Sequence, residues 1–182
     1  MKAVFLVLMM AVSGLAQERV ELVFSGGHDT DPRDHGRPVV LIAAALGVSA
    51  DVFREAFSHV TPAPGGTEPV PGQRERNKEA LLKALGPYGV TNERLNQVSD
   101  YYRYSRERGD ELWKATPAAG YATLRDGVVT GFVITNAGAG YTSEPAVSVA
   151  GRTGIKIRVK LGFGADLKKN GSVKELRVED GL

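Results

Sequence analysis

One octet of the sequence, His28-Asp29-Thr30-Asp31-Pro32-Arg33-Asp34-His35, holds two imidazoles and three carboxylates. Imidazole nitrogens suit zinc or manganese and carboxylate oxygens suit calcium, so His28, Asp29, Asp31, Asp34 and His35 form a candidate site for a divalent metal. The spacing departs from known metal patterns. It is not His-Glu-x-x-His, and Pro32-Arg33 interrupts the alternating oxygens of a calcium loop. Asp31 or Asp34 beside His28 or His35 would also supply an acid/base pair, which opens the reading of a metal-dependent hydrolase. The competing reading is structural. In it Asp34 caps the following helix, Asp29 and Asp31 hold turns through their own backbone, and Arg33 or Arg37 pairs with a carboxylate.

A second set of residues is aromatic. Tyr101, Tyr102, Tyr104 and Trp113 are interleaved with Arg103, Arg106 and Arg108, and Tyr141 follows. Exposed and coplanar, such rings stack on sugars or peptides, which makes these five the candidate ligand-binding residues. Buried, they seal one part of a protein against the next. No catalytic residue is assigned. The chain has no cysteine, no Gly-x-Ser-x-Gly elbow and no phosphate-cradling Gly-Lys-Ser/Thr loop, while His59 reads as a helix-end residue beside Phe57 and Val60.

The elements that position these residues fall into two parts. Val20, Leu22 and Phe24 alternate with Glu21, Val23 and Ser25 as in a half-buried strand ending at Gly26-Gly27. Pro38 suits the first turn of a helix that stops at Gly47, and Ser49 caps a second helix with Val52, Phe53, Ala56, Phe57 and Val60 on one face. The Pro- and Gly-rich stretch from Thr61 to Gly72 excludes regular structure. A third helix is expected from Gln73 to Leu85, and a fourth, capped by Thr91, from Asn92 to Tyr102. From Pro117-Ala118-Ala119-Gly120 onward the pattern alternates with period two. The fold class expected is α+β, with a helical part over residues 17–116 and a β-hairpin module over residues 117–182.

Within the second part, residues 126–136 align with residues 170–180 at an offset of 44. The turn glycine is kept, as are the apolar positions Val129/Val173, Phe132/Leu176 and Ile134/Val178. Each copy reads as the turn and second strand of a hairpin. The first strands would be Tyr121 to Leu124 and Lys156 to Phe163. With Val133-Ile134-Thr135-Asn136 before it, the run Gly138-Ala139-Gly140-Tyr141-Thr142-Ser143-Glu144-Pro145-Ala146-Val147 resembles the Gly-x-Gly-Tyr-x-x-x-Pro-x-Val β repeat of bacterial exported and surface proteins and phage tail proteins. In those proteins the unit is a structural or adhesive module, so the resemblance implies scaffolding or binding and carries no catalytic residue. The second copy ends at Leu182 before any Gly-Tyr element and is expected to close against the helical part or a partner.

The N-terminus reads as a cleavable secretory signal over residues 1–16. Lys2 is basic, Ala3 to Val12 is apolar, and Ser13-Gly14-Leu15-Ala16 supplies the small residues before the cut. The apolar run is shorter than the roughly 20 residues of a permanent membrane span. With Gln17 next, a lipid anchor on cysteine is not expected. The chain carries 23 basic and 21 acidic residues, a balance that offers nothing to nucleic acid. Residues 42–57 resemble the helix-turn-helix of bacterial DNA-binding regulators at Ala43, Gly47 and Phe53. However, Asp51, Arg54 and Glu55 would present a net negative face to phosphate. The combined expectation is an exported, non-enzymatic structural or binding protein, periplasmic or extracellular, with an unknown protein or glycan partner.

Overall fold

The computed structural model describes residues 17–61, 69–105 and 109–179. The expected signal segment, the middle of the Pro/Gly-rich stretch, Arg106, Arg108 and the end of the second repeat copy lie outside the described residues. The chain order is β1 (Glu18–Ser25), α1 (Val39–Leu46), α2 (Ala50–Ser58), α3 (Gln73–Leu85), α4 (Asn92–Tyr102), β2 (Ala119–Arg125), β3 (Val128–Asn136), β4 (Ala146–Val149), β5 (Ile157–Gly162) and β6 (Ser172–Val178). The fold is α+β, with antiparallel strands. No helix of the described residues is long and apolar enough to cross a membrane.

Capping chemistry sets the helix limits. Ser49 Oγ accepts from the Val52 amide at 3.2 Å and Thr91 Oγ1 accepts from the Arg94 amide at 3.2 Å, each satisfying a donor the first helical turn leaves open. Gly47 ends α1 in the left-handed region at φ 76°, where its amide reaches back to the carbonyls of Ala43 and Ala44. The four helices bury Leu41, Leu46, Phe53, Leu85, Leu95 and Val98 in one core. Each such side chain contributes about 1.5–3 kcal/mol on leaving water.

A second core lies among the strands, built on Leu22, Ala122, Leu124, Val149, Val159, Val173 and Leu176. Four strands pair in the order β3-β2-β1-β4, and β5 pairs with β6 in a separate hairpin. The strand that opens the helical part of the sequence is therefore an inner strand of the sheet. Its first half pairs with β2 from Glu18↔Leu124 to Glu21↔Tyr121, and its second half pairs with β4 from Leu22↔Val149 to Ser25↔Ala146. β4 approaches β5 and β3 approaches β6, so the hairpin covers the open side of the four-stranded sheet. The boundary read near residue 117 separates helices from later strands, but β1 lies on the far side of it. Residues 117–120 are tied into the fold. Ala118 is buried, β2 begins at Ala119, and Thr116 bridges Ala139.

The two hairpins pair in corresponding register. Ala122↔Phe132, Thr123↔Gly131 and Leu124↔Val129 in one match Val159↔Leu176, Lys160↔Glu175 and Leu161↔Val173 in the other. Both have a bulge at the same step, between Thr123 and Leu124 and between Lys160 and Leu161, and the first has another between Ala119 and Gly120. Their connections differ. Asp126-Gly127 closes the first at φ 52° and 79°, the two left-handed residues of a tight hairpin turn. The second runs through residues 163–171 and packs Leu167 against the helical core.

Candidate functional site

The His/Asp octet leaves the end of β1 through Gly26 and Gly27, both left-handed. A side chain at Gly27 would come within 2.6 Å of the Tyr141 ring, so the glycine lets the backbone cross that ring at contact distance. The crossing is fixed by hydrogen bonds. The amides of Thr142 and Ser143 donate to the Gly27 carbonyl at 2.9 and 3.2 Å. The Asp29 amide donates to Ser143 Oγ at 3.1 Å, and that hydroxyl donates to Asp29 Oδ2 at 3.2 Å.

The other charged and aromatic members of the octet are not drawn to a common point. His28 stacks on Tyr141 with ring centroids 5.2 Å apart and meets the edge of Trp113 at 6.1 Å. Burial lowers its pKa, against an opposing pull from Asp29, and favours the neutral ring. Asp31 accepts from the Arg33 amide at 2.9 Å and from its guanidinium at 2.7 Å, which holds its carboxyl well below the usual range. Asp34 is 5% exposed and takes a two-pronged contact from Arg54, 2.7 Å at Nε and 2.9 Å at Nη2. Arg54 also bonds Asp51 at 2.8 Å, and its pKa is raised chiefly by the bond to Asp34. His35 stands past the Pro32–Asp34 3-10 turn at φ 50° and lines a cleft of about 570 Å³ with Arg37, Arg54 and Phe57.

The five candidate ligands do not converge. Among the described residues, no group of three or more His, Asp or Glu is placed to hold a metal. The structural role read for Asp34 also needs correcting. Pro38, with no side-chain cap, precedes α1, and Asp34 serves as the counter-ion of a helix 20 positions on. Asp31 fills the turn-holding role through the Arg33 amide, as its short side chain allows. Arg37 lies over the Phe57 ring at 4.7 Å and donates to the Asp34 carbonyl.

The aromatic residues are spread through the junction between the helices and the strands. Tyr102, Trp113 and Tyr141 are 3, 4 and 3% exposed, and Tyr101 and Tyr104 are half-buried. Tyr101 meets Tyr102 at 79° and Tyr104 meets Trp113 at 71°, edge to face, so the rings do not offer a coplanar platform. Their polar ends are satisfied by backbone, and the Trp113 bond crosses from the helical side to the strand side. Trp113 Nε1 donates to the Gly140 carbonyl at 2.9 Å, Tyr104 donates to the Gly36 carbonyl at 2.6 Å, and Tyr141 Oη accepts from the Ala118 amide at 2.9 Å.

Sequence reasoning missed the residue that completes this junction. Asn170, 1% exposed, donates to the Leu41 carbonyl at 2.7 Å and to Tyr102 Oη at 2.9 Å, while its own oxygen accepts from the Gly164 amide at 3.0 Å. Burial pushes the Tyr102 hydroxyl up to about 12. Arg94 works nearby, donating to the Ala45 carbonyl at 2.8 Å and also to the carbonyl of Ala165. The Asn-Gly pair read as a turn signal, which it is, and nothing adjacent signals burial. Compared with known proteins, the chain matches no family model, no curated protein and no solved structure.

Proposed function

We propose that the protein is an exported, non-enzymatic structural or binding component of the bacterial envelope or extracellular space. The observation that carries this reading is where the reactive side chains spend their bonding capacity. Asp34 is held by Arg54, Asp31 by Arg33, Asp29 by Ser143, and Trp113 by the Gly140 carbonyl. Of these, Asp34 and Trp113 are buried, and a buried polar group satisfied by a protein partner favours one packing. The secretory pattern of residues 1–16 and the likeness of residues 133–147 to the β repeat of exported and surface proteins support the same reading.

Calorimetric titration with Zn²⁺, Mn²⁺ and Ca²⁺ tests it, alongside a His28→Ala/His35→Ala double variant. The expected result is no stoichiometric heat from either protein. Tight 1:1 binding lost in the variant would replace this reading with a metal-binding one. Sequencing the N-terminus of the exported product checks the compartment, with Gln17 expected as its first residue.

A further inference from the structure

The wet face of the β5–β6 hairpin carries a cleft of about 500 Å³, walled on one side by residues 142–144. Its floor comes from both strands, with Arg158 and Lys160 from β5 and Glu175 and Arg177 from β6. β4 lies beside β5, so the opening is over the face of the hairpin and not at a free strand edge. The volume falls within the roughly 300–1,000 Å³ of small-molecule sites.

The lining combines one exposed ring with charges of both signs. Phe163, the first residue after β5, belongs to neither core. It is 44% exposed, the only exposed phenylalanine among the described residues. Burying such a ring is worth about 1.5–3 kcal/mol, so folding alone does not account for its place in the cleft. The charges nearly cancel. Arg158 is bonded to Glu179 at 2.7 Å and Arg177 to Glu175 at 2.5 Å, and Lys160 stands opposite Glu175 in register. Glu144 enters no ion pair among the described residues, but its charge reaches Arg158, whose pKa is raised first by the Glu179 bond and more weakly by Glu144.

A lining of this kind offers little to an ion and much to a polyol. A guanidinium has about five N–H donors and a carboxylate about four lone pairs, more than these contacts use. A hydroxyl both donates and accepts, so a polyhydroxylated ligand can use both signs where an anion or cation would use one. The C–H face of a sugar ring is weakly positive and suits the negative face of an aromatic ring. We propose that this cleft binds a short neutral oligosaccharide, one sugar ring resting on Phe163 while its hydroxyls donate to Glu144 and Glu175 and accept from Arg158 and Lys160. The proposal rests on the binding form of the function proposed above.

A printed panel of short neutral and acidic oligosaccharides, probed with the full-length protein, tests it. Neutral glycans should be retained, and titration of a retained one should shift the amide resonances of Gly162 and Phe163. Its affinity should change less than about twofold between about 0.1 and about 1 M salt, since no net charge is exchanged. Phe163→Ala should weaken it by about tenfold, as loss of one stacking contact implies, and Glu144→Gln by a smaller factor. Both side chains are exposed, so both variants should keep the parent circular dichroism. An empty panel, retention of acidic glycans alone, or binding that Phe163→Ala leaves intact would overturn the proposal, with the structural reading still standing. Hydrolysis of the bound glycan would support the cleft and remove the non-enzymatic reading.

Discussion

The turns Asp126-Gly127 and Asn170-Gly171 stand at equivalent places in two hairpins that share register and bulge, yet their surroundings are opposite. Asp126 is exposed, whereas Asn170 is 1% exposed and bonded to a helix carbonyl and a tyrosine. A side chain added at Gly127 meets nothing within 4 Å, while one at Gly171 would overlap the Tyr141 carbonyl and come within 2.6 Å of Leu41 Cδ2. Asn or Asp before Gly specifies a backbone reversal in both cases. What the reversal packs against decides whether it is a solvent turn or the bolt between two cores.

Alanine at the two glycines should separate the turns by the widest margin. Gly171→Ala should cost more than about 3 kcal/mol or prevent folding, because backbone must move as well as adopt a left-handed conformation with a Cβ. Gly127→Ala should cost only about 1 kcal/mol from the backbone conformation. Urea unfolding of both variants measures the gap. Next in size is Asp34→Ala, which strips a partly buried Arg54 of its main partner and should cost about 2 kcal/mol. Asp31→Ala, which removes an exposed ion pair and one bond to the Arg33 amide, should shift the urea midpoint less than Asp34→Ala does.

Two pH effects are smaller. Tyr102 ionises at about 12 in the folded chain, above the ordinary value near 10, so the unfolded chain releases its proton first. Stability from this group is full below pH 10 and is lost as pH rises toward 12. Tyr102→Phe should flatten the alkaline limb of a thermal-stability profile after its own uniform loss. His28 has the opposite sense. Its folded pKa lies below the ordinary 6.5, so its contribution is present above that pH and is lost as pH falls through the folded value. His28→Phe, which keeps a ring against Tyr141, should make the profile between pH 7 and 5 shallower.

The helices were legible almost to the residue because their limits are local. Ser49, Thr91 and Gly47 each act on amides or carbonyls within one turn of themselves. The same holds for β2–β3 and β5–β6, where turn chemistry and alternation suffice. Pairing across long separations was not legible. The sequence announces β1 as a strand, but its seat between β2 and β4 depends on contacts 100 or more positions away. The candidate sites were misread for a related reason. Asp34 and His28 look like a ligand set in sequence, and their partners Arg54, Tyr141 and Trp113 are supplied by other elements. Asn170 carried no sign of burial because its neighbours Lys168 and Lys169 are solvent-facing.

Buried polar side chains at the junction bind the helical core to the strand core, and Asn170→Ala compared with Asp126→Ala measures that link. Unfolding is followed by Trp113 fluorescence, since that ring sits in the junction, and by far-ultraviolet circular dichroism. Asn170→Ala, which leaves the Leu41 carbonyl and Tyr102 hydroxyl without this partner, should lose about 2–4 kcal/mol, and Asp126→Ala less than about 0.5 kcal/mol. Equal small losses at both positions would contradict it and reduce the second turn to the same surface reversal as the first.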